Sequence, residues 1–454
     1  MQLTDPNQQL SFREKVGYGL GDTATNLVWR TLMVFLPIFY TDVFGITAAA
    51  VGTLLLVVRI LDGVTDFGMG LIADRTNTRW GKFRPWVLWM AVPFGVMTVL
   101  TFTTFDLSYA AKLLYAYVTY IGLILVFTAS NVPYSALTGV LSGDPVERTS
   151  VSSYRFFFAF LGGVLVQGLN IYLVAFFGQG DDVEGYKYTM MFFAGLAVIL
   201  FIVTFLSTTE RVQPPPRQRT SLKQDFKDLF TNRAWVVLFF IGVIFVTFTT
   251  LKQGVTLYYF KYFVGDVELA ASFMVIGTAT AMISAALTRR MSVWLGKRRL
   301  FTYSFLLGVV SSALLYFAGP GDIAMIYLLG LLMEFCTGPI VALFFAMLGD
   351  AADYSEWNNH RRATGLVYSA GTLAIKFGGG IAGALTGWLL NVFGYQPNVE
   401  QTAQALEGIK LLISVVPAFI ALLGIVALRF YPIDDELLRR IQVELTHRKE
   451  GTAQ

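Results

Sequence analysis

The chain has 454 residues and a formal net charge of +4; 55% of its residues are hydrophobic, only 14% are charged, and the mean hydropathy is +0.60. Soluble domains average about 25% charged residues, so the composition excludes an ordinary soluble domain and points to a membrane protein. One cysteine, Cys336, excludes an intramolecular disulfide framework and a multi-cysteine metal site, and bases confined to a few loops exclude the basic face of a nucleic-acid-binding module.

The first fifteen residues, MQLTDPNQQLSFREK, are polar and lack the basic-then-apolar form of a cleaved signal, so the first apolar segment is expected in the mature protein. Apolar stretches of about 20 residues read as membrane-spanning helices, and about twelve are expected. In the first half they cover 17–42, 47–74, 85–104, 110–140, 151–178 and 187–208; in the second, 233–262, 267–294, 300–318, 322–349, 364–392 and 409–431. The 42 glycines suit close packing between such helices. The expected organisation is a first six-helix bundle over 1–210, a linker over 211–232, a second six-helix bundle over 233–431 and a tail over 432–454.

The linker carries three consecutive prolines, which exclude a helix there; SLKQDFKDLF after them suits a short amphipathic surface helix. A basic turn after the second helix, RWGKFR (79–84), is echoed after the eighth as WLGKRR (294–299), as two parallel six-helix repeats would leave. Bases gather in alternate loops: Arg75, Arg79, Lys82 and Arg84, then the linker, then Arg289 to Arg299, then Arg361 and Arg362. The loops between, such as TDVFGITAAA and GQGDDVEG, are free of bases. By the positive-inside rule the basic loops and both termini are expected in the cytoplasm, with the chain in the plasma (inner) membrane.

Charges inside the apolar runs carry the chemistry. An ionised side chain at mid-bilayer costs about 2.5–3.5 kcal/mol on insertion scales, yet the second helix holds Arg59, Asp62 and Asp66. Three- and four-residue spacing puts them on one helical face. Arg59 neutralises one carboxylate; the other needs a bound Na⁺, a proton, or a base on another helix. The spacing is therefore read as a coupling-ion site formed by Asp62 and Asp66, with Thr65 as a further oxygen donor, beside the plainer reading of a salt-bridge network that only ties helices together. Other polar groups recur on many helices: Asp22, Asn26 and Arg30 four apart on the first, Thr128 and Asn131 before Pro133 on the fourth, Arg155 on the fifth, Lys252 on the seventh, Glu334 on the tenth, Thr372 and Lys376 on the eleventh. Together they favour a polar path for a polyhydroxylated solute, with Tyr120, Phe127 and Tyr368 as aromatics able to stack on a sugar face. The chain has no GxxxxGK[ST], HExxH or GxSxG, so neither direct ATP drive nor hydrolase chemistry is expected; the expectation is a transporter, not an enzyme, with a passive pore as the reading from a different class.

YGLGDTATN (18–26), RILDGVTDFGMGLIADRTNTRWGKFRPW (59–86), NVPYSAL (131–137), YRFF (154–157) and GDAADYSEW (349–357) resemble the glycoside–pentoside–hexuronide:cation symporter family, and the resemblance runs over nearly the whole chain. It implies an all-α membrane protein of major-facilitator type: two six-helix bundles around a central cavity, working by alternating access as a monomer, with membrane lipid around it. It also implies uptake of a glycoside coupled to Na⁺ or H⁺ and no other cofactor. By position, Asp62 and Asp66 match the family's cation-binding carboxylates and Thr128 a hydroxyl that completes the site. Thr65 stands where the melibiose permease, a member, has an asparagine. Arg155 matches a sugar-site arginine, and Thr372 and Lys376 match polar positions near both sites. Asn26 and Asn131 replace two sugar-binding aspartates and Ser135 a stacking tryptophan, which argues against melibiose itself. Arg30 and Lys252 leave two substrate classes open: an acidic hexuronide, or a neutral xyloside-like glycoside with Arg30 paired to Asp22 or Glu334. The turn with Asp74, Arg75 and Arg84, and the segment DAADYSEWNNHRR (350–362) with Asp350 and Asp353, are expected to form a cytoplasmic gate, beside the reading that they only anchor topology.

Overall fold

The computed structural model describes residues 9–142, 144–211, 229–359 and 364–451. Among these residues every regular element is helical, apart from an isolated bridge between Thr78 and Gly81. The expected linker helix at 221–230 and the bases Arg361 and Arg362 lie largely or wholly outside the described residues.

In chain order the helices are α1 (Phe12–Val34), α2 (Ala48–Arg75), α3 (Arg84–Thr101), α4 (Tyr109–Leu141), α5 (Pro145–Gly178), α6 (Asp182–Ser207), α7 (Arg233–Tyr258), α8 (Glu268–Leu295), α9 (Lys297–Leu315), α10 (Ile323–Asn359) and α11 (Thr364–Val392). The twelfth span, α12, comes in two pieces, Ala403–Ile413 and Val415–Arg429, and a tail helix, α13 (Asp435–Gly451), follows. Short polar residues open many of them by accepting an otherwise orphaned N–H: Ser11 from Glu14, Thr47 from Ala50, Asp181 from Val183, Asn232 from Trp235. Nine of the helices are long and apolar enough to cross a membrane among the described residues; α1, α3 and α9 stand at the first, third and ninth expected places.

Two helices differ notably from the sequence reading. The tenth helix runs ten residues past the expected 349, carrying the first part of the expected gate as continuous helix to Asn359. The twelfth is interrupted at Ser414, whose backbone leaves the helical region at φ −118° and ψ −81°. Pro133 lies inside α4, which runs unbroken from Tyr109 to Leu141; losing one N–H is tolerated where neighbouring groups re-satisfy the carbonyl.

The chain divides into two compact units: Met1–Arg217 with Asp266–Val275 and Tyr395–Glu400, and Gln218–Gly265 with Ile276–Gly394 and Gln401–Gln454. In the first, α1 packs on α5 and α6, and α3 on α4 and α6; in the second, α7 packs on α11 and α12, and α9 on α10 and α12. Adding six to each helix number maps one set of pairs onto the other. The sequence echo fits the same repeat: Gly81 and Gly296, the glycines of RWGKFR and WLGKRR, both take positive φ, 112° and 78°, the first three residues before α3 and the second immediately before α9. That left-handed turn is open to glycine because it lacks a Cβ.

Glycines also set how closely α1 and α5 approach. A Cβ on Gly162 would meet the Thr23 carbonyl oxygen at 3.0 Å, and one on Gly19 the Tyr154 carbonyl at 3.2 Å. The two backbones meet there, with Asp22 and Arg155 between the two contacts in sequence.

Candidate functional site

The first unit gathers the expected cation-site residues. Asp62 is fully buried on α2, and Asp66 lies half-buried one turn on. From α4 the Thr128 hydroxyl sits 3.1 Å from Asp62 Oδ1 and 3.2 Å from Asp66 Oδ1. A hydroxyl has one hydrogen, so it donates to one carboxylate at a time while holding oxygens of both beside it. Arg59 Nη1 lies 3.5 Å from Asp62 Oδ2. Two acids, one hydroxyl and one guanidinium thus share a site almost closed to solvent. The Thr65 hydroxyl donates locally, to the Asp62 carbonyl at 3.1 Å, as mid-helix threonines commonly do.

A second group forms on α1, α4 and α5. Arg155 Nε donates to Asp22 Oδ2 at 2.5 Å, and Arg155 Nη2 donates to Ser135 Oγ at 3.1 Å. Ser135 Oγ donates in turn to Asn131 Oδ1 at 3.2 Å, and Asn26 Nδ2 donates to the Asp22 carbonyl at 2.9 Å. Asn26, Asn131 and Arg155 are therefore organised around Asp22. The guanidinium also lies 5.1 Å from the centre of the Tyr134 ring, which stacks on Tyr18 at 4.7 Å. Tyr134 and Tyr18 fix each other across α4 and α1, each hydroxyl donating to the other's carbonyl at 2.6 and 3.0 Å. Asp22 and Ser135 were legible as polar groups, but their partners were not.

The neutral-solute reading placed Arg30 beside Asp22 or Glu334, and each of those acids has another base beside it. Arg155 holds Asp22, and in the second unit Lys252 on α7 binds Glu334 on α10 at 3.0 Å. Arg30 instead lies along α5, where a Cβ on Gly163 would approach its Nε to 3.1 Å. Lys252, only 4% exposed, also lies 4.8 Å from the Phe248 ring centre. Thr372 is exposed and Lys376 half-buried on α11. Two of the expected stacking aromatics are packing groups: Tyr120 is fully buried, and Phe127 stacks on Trp29 at 4.7 Å. The side chain of Tyr368 lies outside the described residues.

The expected gate residues sit at helix ends. Asp74 and Arg75 close α2 and are exposed. Arg84 Nη2 donates to the Phe205 carbonyl on α6 at 2.7 Å. The Glu210 carboxylate, just past α6, accepts from the N–H groups of Lys82, Phe83 and Arg84 at 2.9, 2.7 and 2.9 Å. In the second unit Lys297 at the start of α9 grips both oxygens of Asp350 on α10, at 2.8 and 2.7 Å. Asp353 lies about one turn further along α10, half-buried.

A family model described as MFS/sugar transport protein matches residues 17–435. The chain belongs to this family. It is accordingly an integral membrane protein that transports and is not an enzyme. Within the family, it is 38% identical over 438 residues, 96% of this chain and 95% of the other, to an Escherichia coli protein provisionally named a glycoside/cation symporter. It is 37% identical, over 93% of this chain and 88% of the other, to an isoprimeverose transporter of Lactiplantibacillus pentosus. Among solved structures, a bacterial homologue of the human lysosomal transporter Spinster matches with a TM-score of 0.67 at 13% identity, covering 95% of this chain and 98% of that one. That similarity establishes the major-facilitator fold.

Proposed function

We propose that this protein takes up a neutral glycoside together with a cation, Na⁺ or H⁺, by alternating access. The observation that carries the reading is the Thr128 hydroxyl between Asp62 and Asp66: it holds one buried and one half-buried acid at one point, as a hard cation or a proton requires. The names of the glycoside/cation symporter and the isoprimeverose transporter support both the cation and the solute class. A neutral solute is favoured over a hexuronide because Lys252, one of the two bases expected to meet a carboxylate, is matched by Glu334. In this reading Asn26, Asn131 and Arg155 meet the solute from the first bundle, and Thr372 and Lys376 from the second. Asp74, Arg75, Arg84, Asp350 and Asp353 govern closure on the cytoplasmic side, with both termini in the cytoplasm, the chain in the plasma membrane and a monomer as the working unit.

The test is uptake into proteoliposomes under imposed Na⁺ or H⁺ gradients, with a panel of labelled xylosides, other neutral glycosides and glucuronides. Uphill accumulation of a neutral glycoside driven by one of the two gradients, abolished in Asp66→Asn, is expected. Accumulation of glucuronides alone would replace the solute class, and equilibration without accumulation would replace symport by a passive pore.

A further inference from the structure

Arg59 is 4% exposed, so its charge has to be met by neighbouring helices. Asp62 Oδ2 lies 3.5 Å from Nη1. On the other side, the guanidinium carbon lies 4.2 Å from the centre of the Trp29 ring, and Nη2 lies 3.3 Å from Met33 Sδ. Both of these residues are on α1, one turn apart. Trp29 is itself braced by Phe127, which stacks on it at 4.7 Å and immediately precedes Thr128 in sequence.

The ion pair is long. Charge-assisted N–H···O contacts ordinarily close to about 2.7–2.9 Å, and opening one to 3.5 Å gives up roughly a fifth of the Coulomb attraction. A desolvated guanidinium over an indole face gains about 0.5–2 kcal/mol, enough to share the cation between ring and carboxylate. Arg59 therefore stands between two seats, one on α2 and one on α1.

From this geometry we infer that Trp29, seconded by Met33, is a positioning residue for cation coupling: it is the seat onto which Arg59 moves when a cation takes Asp62. The inference rests on the reading of Asp62 and Asp66 as the cation site. Arg59 is then a tethered competitor for that site, and the indole weakens its competition by drawing it away. Because the seat is on the helix that carries Asp22 and Asn26, cation binding presses on the helix that frames the solute group.

The test uses the purified full-length chain and the cations alone. Its melting temperature is titrated with NaCl at fixed pH, with choline chloride as the ionic-strength control, and with pH at fixed salt. Whichever cation stabilises the wild type gives a midpoint. Trp29→Leu is expected to weaken that midpoint about two- to thirtyfold, the cation–π contribution converted to affinity. Trp29→Phe, which keeps a ring face, is expected to recover more than half of the loss on a logarithmic scale. Arg59→Met, which removes the competitor, is expected to tighten the midpoint at least as much as Trp29→Leu weakens it. A wild-type midpoint in Trp29→Leu, or a weaker one in Arg59→Met, overturns the inference. Should Trp29→Leu not fold, Met33→Leu carries the test, with a smaller weakening expected and an unchanged midpoint overturning it. Asp66→Asn separates the layers. If it binds the cation as the wild type does, the cation-site reading fails and this inference with it; if it loses binding while Trp29→Leu does not, only the seat is lost.

Discussion

Arg155 on α5 and Asp22 on α1 form a 2.5 Å ion pair between two helices whose backbones meet at Gly19 and Gly162. The remaining arm of the guanidinium reaches Ser135 on α4, so one side chain ties three helices through fixed, forked geometry. Removing one partner of a buried pair costs about 3–5 kcal/mol, because the other charge stays behind.

Asp22→Asn and Arg155→Met are each expected to lower the melting temperature and to abolish solute uptake. The double variant is expected to be more stable than the sum of the two losses. Arg155→Lys should fold but lose at least tenfold in solute binding, since an ammonium cannot serve Asp22 and Ser135 together. Additive losses in the double variant would show that the pair is not coupled.

Thr128→Val removes the one hydroxyl shared by Asp62 and Asp66. Hydrogen bonds to charged groups are worth about 1.5–3 kcal/mol, so the cation dependence of uptake should weaken by roughly tenfold or more. Thr128→Ser restores the hydroxyl and should restore the dependence. An unaltered cation dependence in the valine variant would remove Thr128 from the site.

Lys252→Met leaves Glu334 without the ammonium 3.0 Å away. Adding Glu334→Met should recover stability, because a buried pair replaced by apolar groups is often neutral or better. Melting temperatures of the two singles and the double measure this. If glucuronides become transported in Glu334→Gln, which frees the Lys252 charge, the pairing is what keeps the solute neutral.

Glu210 takes the place of a side-chain cap on α3, accepting from three successive N–H groups. Loss of a cap and of a charge at a helix N-terminus costs about 1–2 kcal/mol. Glu210→Ala is therefore expected to destabilise the first unit and to speed proteolytic nicking around 76–83, whereas Glu210→Gln, keeping one acceptor, should do so less.

Glu147 at the start of α5 is held below the usual carboxylate range, first by its hydrogen bond with Lys15, at 2.9 Å, and also by the Leu10 N–H. A depressed folded value means that this stabilisation is fully present above the unfolded value of about 4.3 and is lost as pH falls through the folded one. Glu147→Gln should thus melt earlier than the wild type at pH 7, with the gap closing below about pH 4. A gap that persists at low pH would assign the effect to packing instead.

Sequence alone determined that the chain is a helical membrane protein and the order of its apolar helices among the described residues, because a bilayer demands apolar runs of a set length. It also determined the Arg59, Asp62 and Asp66 column, since three- and four-residue spacing on a helix is local geometry. The extension of α10 to Asn359 was not legible, because polar residues near a membrane boundary suit helix and loop alike; nor was the break at Ser414, which falls inside an apolar run. Nor were the partners of the buried charges. Sequence offered Arg30 a partner in Asp22 or Glu334, yet Asp22 is held from α5 and Lys252 is met by Glu334 from α10. Which helices abut depends on where glycines let backbones meet, and a buried ion takes the partner that close approach brings within hydrogen-bonding distance. The partners lie 133 and 82 residues apart along the chain, and only the packed bundle brings them together.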